Sequence, residues 1–375
     1  MAGLYIHIPF CKSRCRYCAF YSTTRIEMME KYVDAVVREW QMRSGSDGYL
    51  GSEEIRTVYI GGGSPSLLPP PLLLRLLGAI DLGNAVEVTV ECNPDDISPS
   101  LAHALVDGGV NRVSMGAQSF DDDTLRRINR RHDAGRVATS MDILRDAGIT
   151  NIGIDLIYGF PWQTKEMWAH DLHEAMSLAP QHLSAYNLSI EEGTPMYADL
   201  QSGAISQCDE ETEREMYEML MDAASAHGMV HYEISNFAMP GMESRHNSSY
   251  WDGTHYMGLG AAAHSFDGVS RQWNVSDMAT YINKVEKGEM AMEREELDLY
   301  SRYDDMVMLS MRTRRGLDVR LLRARMGDAM TDYCVRQAMK YVNSQLLEMS
   351  DDHIALTRKG IFVSDMVISD MMWDR

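Results

Sequence analysis

Long hydrophobic runs are scarce in this chain. The longest apolar stretch, Leu67 to Ile80, carries three consecutive prolines and an arginine, which excludes a membrane-spanning helix. The opening MAGLYIHIPFCKSRC has no charged segment followed by a long apolar one, so no secretion signal is read there and a cytoplasmic protein is expected. Positive charge is also short. With 35 Lys+Arg against 55 Asp+Glu the net charge is −20, which argues against broad electrostatic binding to nucleic acid or anionic lipid and leaves peripheral membrane association open. No Gly-Lys-Ser/Thr follows the glycine run at 61–63, so there is no Walker A loop. No second Cys-x2-Cys or His-x3-His pair is present to complete a four-ligand zinc site.

What remains is an ordinary globular composition, 45% hydrophobic and 24% charged over 375 residues. Periodicity gives six strands, each followed by helix: Leu4–Ile8, Val58–Ile60, Val86–Glu91, Arg112–Gly116, Ile152–Ile157 and His182–Leu188. The strands read as near-continuously apolar, which predicts a parallel sheet buried on both faces. Eight units would complete a barrel and six do not. The expected fold is therefore α/β, a partial (β/α)6 barrel over residues 1–229, with a doubly wound sheet as the rival. Residues 230–299 form a connecting region in which Val230–Ala238 reads as one further strand. Residues 300–375 read as a small, mainly helical domain.

Six cysteines occur, and three of them lie within eight residues as Cys11-x3-Cys15-x2-Cys18. Three clustered thiolates suit a [4Fe–4S] cube with one iron left open to an external ligand. Cys92, Cys208 and Cys334 stand alone and read as packing residues. In parallel β/α folds, functional groups gather where strands run into the loops that follow. Here those positions carry the three cysteines, then Gly61-Gly62-Gly63-Ser64, Glu91, Gln118 and Asp155. The glycines lack β-carbons, so a ligand is expected to reach backbone N–H groups directly. Among Arg126, Arg127, Arg130 and Arg131, one arginine could turn inward to hold a carboxylate.

The motifs IHIPFC, GGGSPS, ECNPDD, MGAQSF, INRRH and IDLIYGFP together resemble the oxygen-independent coproporphyrinogen III oxidase family of the radical S-adenosylmethionine (SAM) superfamily. The resemblance runs from Leu4 to the C-terminal LTRKGIFVSD. It implies a [4Fe–4S] cluster on Cys11, Cys15 and Cys18 and a SAM molecule on its open iron. It also implies that Tyr5, Gly62, Gly63, Ser64, Glu91, Gln118, Arg130 and Asp155 line the SAM pocket.

Within that family the coproporphyrinogen dehydrogenase branch has a fourth cysteine two positions after the third; here that position is Phe20. The HemW-like heme chaperone branch carries HNxxYW, and this chain reads His246-Asn247-Ser248-Ser249-Tyr250-Trp251. The resemblance thus implies a heme chaperone that passes heme to an acceptor protein, with coproporphyrinogen III oxidation as the alternative. His246, Asn247, Tyr250 and Trp251 are the candidate heme-binding residues: imidazole ligates heme iron, and the aromatic rings offer flat apolar surface. The segment contains Gly and Ser and is expected to be a mobile loop. His264 is a second candidate ligand.

Overall fold

The structure is a computed structural model and describes residues 1–45, 48–350 and 352–374. Six strands, β1 (Ala2–Ile8), β2 (Ile55–Gly62), β3 (Glu87–Cys92), β4 (Arg112–Gln118), β5 (Asn151–Tyr158) and β6 (His182–Asn187), pair in parallel, each with the next. Helices α1 (Met29–Arg43), α2 (Pro70–Gly78), α3 (Pro99–Asp107), α4 (Asp122–Arg127), α5 (Ala134–Asp146) and α6 (Lys165–Ser177) fill the crossovers. Helices α7 (Pro195–Gln201) and α8 (Glu210–Ala226) follow β6. Their starts are written in the sequence: Ser98, Asp121, Asp133, Thr164, Thr194 and Asp209 each accept a backbone N–H of the first turn.

The six-unit expectation holds, and the structure extends it on both edges. The single strand expected at 230–238 is a hairpin, β7 (Val230–Glu233) and β8 (Asn236–Ala238), antiparallel against β6. Helix α9 (Arg245–Asp252) leads to β9 (His255–Leu259), a seventh parallel strand that pairs with β1 at the opposite edge. Strands β10 (His264–Phe266), β11 (Ser270–Asn274) and β12 (Met292–Glu296) continue antiparallel from β9, with α10 (Met278–Glu286) before the last. The result is one 12-stranded sheet, ordered β12-β11-β10-β9-β1-β2-β3-β4-β5-β6-β8-β7. Strands β6 and β9 are not paired with each other, so the barrel is open.

The strands are not apolar on both faces. Leu4, Ile6, Ile8, Val58, Ile60, Val90, Val113, Met115, Ile154 and Leu156 are fully buried under the helices. The alternate positions carry Tyr5, His7, Thr57, Tyr59, Glu87, Thr89, Glu91, Arg112, Ser114, Asp155, His182 and Ser184. Period two therefore yields a greasy convex face and a polar concave face. A polar interior persists only when its groups find partners or ligands, so the concave face is where function is to be sought.

Beyond the sheet, helices α11 (Leu299–Met311), α12 (Val319–Asn343), α13 (Arg358–Ile361) and α14 (Ser364–Met371) surround a core of their own, including Tyr303, Val307, Leu322 and Val367. A small antiparallel sheet joins them, with β15 (His353–Leu356) between β13 (Leu317–Asp318) and β14 (Leu347–Met349). This region docks on β7 through hydrogen bonds from Arg314 N–H to the Tyr232 carbonyl and from Ile234 N–H to the Arg312 carbonyl, each 3.0 Å.

Candidate functional site

The loops after the parallel strands converge on one cavity of about 680 Å³. Cys11, Cys15 and Cys18 line it together with Gly62, Gly63 and Ser64. Glu91, Gln118, Arg130 and Asp155 line the same space, and so does Asn247 of α9. The cavity thus runs from the cysteine loop down the concave face of the sheet.

All six cysteines are free thiols. Burial holds the Cys11 and Cys18 thiols above their ordinary value, with the neighbouring Cys15 adding repulsion. Three crowded sulfurs become anions together only against positive charge, and a metal cluster supplies it. In a cube each thiolate holds a different iron, so three separate sulfurs facing one cavity fit that group better than a single ion. Arg130 Nη1 lies 3.7 Å from Cys15 Sγ. Phe20, where a fourth cysteine would stand, is 77% exposed at the cavity rim.

The other three arginines of the basic stretch are engaged elsewhere. Arg126 pairs with Asp123, Arg127 covers the Trp162 ring at 5.1 Å, and Arg131 reaches Asp96 at 3.0 Å. Helix α4 ends at Arg127, and Asn129 takes a left-handed φ of 63°, which turns Arg130 inward. Its Nη2 donates to Asn93 Oδ1 at 2.6 Å and to the Gly116 carbonyl. Asn93 in turn donates to Ser64 Oγ at 2.6 Å. Asn93 was not singled out by sequence reasoning, although it sits in ECNPDD.

Glu91 is held from two sides. Tyr59 OH donates to its Oε1 at 2.8 Å and Gly62 N–H to its Oε2 at 3.0 Å. Burial nevertheless pushes its pKa up to about 7, with the nearby Asp155 adding to the rise. Asp155 is raised as well, chiefly by burial, and accepts from Ser114 Oγ at 3.0 Å. Two neighbouring acids that resist ionisation form a site suited to a ligand's positive charge or hydrogen-bond donors.

The glycine run corrects the sequence reading. Gly62 donates its N–H to Glu91, and Gly63 donates its N–H to the Ile8 carbonyl at 2.8 Å, so neither is free for a ligand. The missing β-carbons make room for protein instead. A β-carbon on Gly62 would stand 2.7 Å from the His7 ring, and one on Gly63 would stand 2.7 Å from the Phe10 carbonyl oxygen. Tyr5 does not line the cavity; its hydroxyl lies 3.0 Å from His7 Nδ1, and its ring centroid lies 6.2 Å from that of Tyr59.

The segment expected to be a mobile loop is helix α9. Ser244 caps it by accepting from Asn247 N–H at 3.2 Å, and Gly253, at φ 75°, ends it. The Glu87 carboxylate accepts from Arg245 and His246 N–H, both at 2.9 Å. A β-carbon on Gly3 would stand 3.3 Å from the His246 ring, and Gly3, Thr57 and Glu87 all lie near the beginnings of their strands, so α9 packs at the end of the sheet opposite the cysteines. His246 is fully buried there. Its Nδ1 lies 2.9 Å from Thr57 Oγ1, and its Nε2 lies 2.9 Å from Tyr250 OH. Its ring stacks on Tyr59 at 5.2 Å, and burial together with the charge of Arg112 lowers its pKa to about 3. Trp251 lies beneath the Arg312 guanidinium at 5.7 Å. His264 is exposed on β10, 6.2 Å from the Trp273 ring.

The model of the radical SAM superfamily matches residues 5–175, and that of the HemN C-terminal domain matches residues 297–363. The chain is 34% identical to the heme chaperone HemW of Bacillus subtilis over 98% of each chain. It is 34% identical to the heme chaperone HemW of Lactococcus lactis, over 99% of this chain and 97% of that one. Among solved structures, coproporphyrinogen III oxidase (HemN) from Escherichia coli superposes with a TM-score of 0.84 at 23% identity, covering 99% of this chain and 90% of that chain. The last likeness is one of fold.

Proposed function

Because the chain belongs to the HemW heme chaperone family of the radical SAM superfamily, we propose that it binds heme and passes it to an acceptor protein. The observation that carries this reading is the identity to heme chaperones, which spans both the cysteine loop and α9. Cys11, Cys15 and Cys18 would hold a [4Fe–4S] cluster. When bound, that cluster supplies an open iron for SAM and an electron. Glu91 and Asp155 would accept from SAM, with Gln118 and Ser64 adding polar contacts. Arg130, beside Cys15, would face the SAM carboxylate. The N–H groups of Gly62 and Gly63 are already used, so their part in SAM binding falls to carbonyl oxygens. We place the protein in the cytoplasm, where three neighbouring thiols stay reduced for cluster assembly.

His246, Asn247, Tyr250 and Trp251 are the proposed heme residues. Burial keeps the His246 imidazole in its neutral form, the form that donates a nitrogen to iron. Ligation would cost one of its two hydrogen bonds, either to Thr57 or to Tyr250, and would require α9 to shift. Heme titration followed in the Soret region tests this. Saturable binding is expected in the parent, and His246→Ala should weaken it and shift the band. Loss in His264→Ala with His246→Ala unchanged would move the ligand to β10. Absence of saturable binding in the parent would refute the chaperone reading.

A further inference from the structure

Below the acid pair, on the same concave face, Arg112 of β4 is 1% exposed. Its Nε, Nη1 and Nη2 have no hydrogen-bond partner among the described residues. Two neighbours are in the same condition. Thr89 Oγ1, in register with Arg112 on β3, has no partner, and neither does His182 Nδ1; both side chains are fully buried. An isolated interior cation is among the costliest arrangements a fold can hold, and a buried unpartnered polar group calls for a specific explanation.

Two of the three, Arg112 and His182, face one glycine, and Thr89 lies in register beside Arg112. Gly153 on β5 carries no side chain, and a β-carbon there would stand 3.5 Å from Arg112 Nη2 and 3.2 Å from His182 Nδ1. Both orphan nitrogens therefore border the small space this glycine leaves open. His182 Nε2 lies 2.7 Å from Tyr232 OH. With the tyrosine hydroxyl donating to Nε2, the neutral imidazole presents its Nδ1–H to the gap. Thr89 can add a hydroxyl proton. A guanidinium and an N–H facing one glycine, with an O–H in register beside the guanidinium, form a donor set for an anion.

Arg112 acts on Glu91 and Asp155 through space, lowering both carboxyls against the rise that burial imposes, but it donates a hydrogen bond to neither. Glu91 is bonded to Tyr59 and Gly62, Asp155 to Ser114, and Glu87 to the N-terminus of α9. A water molecule could accept these donors but would leave the charge in place. We propose that Arg112 and His182, around the gap at Gly153, together with Thr89 beside Arg112, form a resident binding site for a small inorganic monovalent anion of chloride size. The enclosure sets the size limit: Arg112, Thr89 and His182 are all sealed from solvent and lie outside the lining of the cysteine cavity. The site is independent of heme and of the cluster.

Two measurements decide it. Crystals of the parent grown in sodium bromide should show an anomalous peak within hydrogen-bond reach of Arg112 Nη2 and His182 Nδ1. In parallel, Tm should rise with chloride or bromide at constant ionic strength set by a bulky organic anion. The rise should disappear in Gly153→Ala, which fills the gap and leaves Arg112 in place, and in Arg112→Met. If Arg112→Met does not fold, Gly153→Ala and the parent crystals still decide. Water-like density without an anomalous peak would overturn the proposal. So would a Tm indifferent to halide, and a bromide peak without any Tm response would mark binding at crystal concentration only.

Discussion

Replacing Glu91 by glutamine isolates the cost of holding an ionised acid on the concave face. The carboxyl sits at about 7 in the folded protein against 4.5 ordinarily. At about 1.4 kcal/mol per pH unit this amounts to about 3 kcal/mol, discounted to about 2 because the group also opens onto the cavity. The folded state therefore binds a proton that the unfolded chain releases between pH 4.5 and 7. It follows that stability falls as pH rises through that window and is level above it. Glu91→Gln keeps an acceptor for Tyr59, removes the charge and should flatten the decline. Above pH 7 the variant should be the more stable protein, by about 2 kcal/mol. Urea unfolding at pH 5, 6, 7 and 8, without cluster or SAM, measures both quantities. In reconstituted protein the same variant should bind SAM more weakly, and parental SAM affinity should rise with pH through 7. A parent and variant with parallel stability curves would refute the reasoning, because burial would then not be setting the Glu91 equilibrium.

Three further outcomes are expected. Cys11→Ala, Cys15→Ala and Cys18→Ala should each lose the brown chromophore and the roughly four irons of one cluster, while Cys208→Ala keeps them; iron and sulfide analysis decides. His246→Ala should lower stability by about 2–4 kcal/mol even without heme, since it leaves Thr57 and Tyr250 unpaired around a buried void, and chemical denaturation reads this directly. Gly62→Ala should cost about 1–3 kcal/mol and disturb the cysteine loop, because φ there is +115° and the new methyl would meet the His7 ring, a change visible in thermal unfolding and cluster loading.

The parallel strands were legible because strand, loop and helix alternate with strong local signals. Cap residues such as Ser98 and Asp209 stand in the sequence where α3 and α8 begin. The strand-end rule gathers the cysteines, Glu91, Gln118 and Asp155 from the sequence alone. Helix α9 was hidden for a physical reason. Its fully buried side chain is a histidine, and its partners are Thr57, Tyr250 and Glu87, so no apolar period marks it. Only the flanking Ser244 and Gly253 signal its ends. Strand β9 is five residues, with Gly258 inside, and pairs with a strand some 250 positions earlier, which local reading does not detect. The glycine run shows the limit of composition: absent β-carbons are visible in sequence, but His7 and Phe10 as the groups that need the space are not. The inward turn of Arg130 depends on α4 ending three residues earlier, which periodicity does not resolve.

The most direct test places both family chemistries before one preparation. Anaerobically reconstituted protein would be given coproporphyrinogen III with SAM and reductant. In parallel, heme-loaded protein would be mixed with a heme-free acceptor and the acceptor spectrum followed. Saturable heme binding, transfer to the acceptor and no multiple-turnover formation of protoporphyrinogen IX are predicted. Many turnovers to protoporphyrinogen IX, with no saturable heme binding, would contradict a heme chaperone built on this fold.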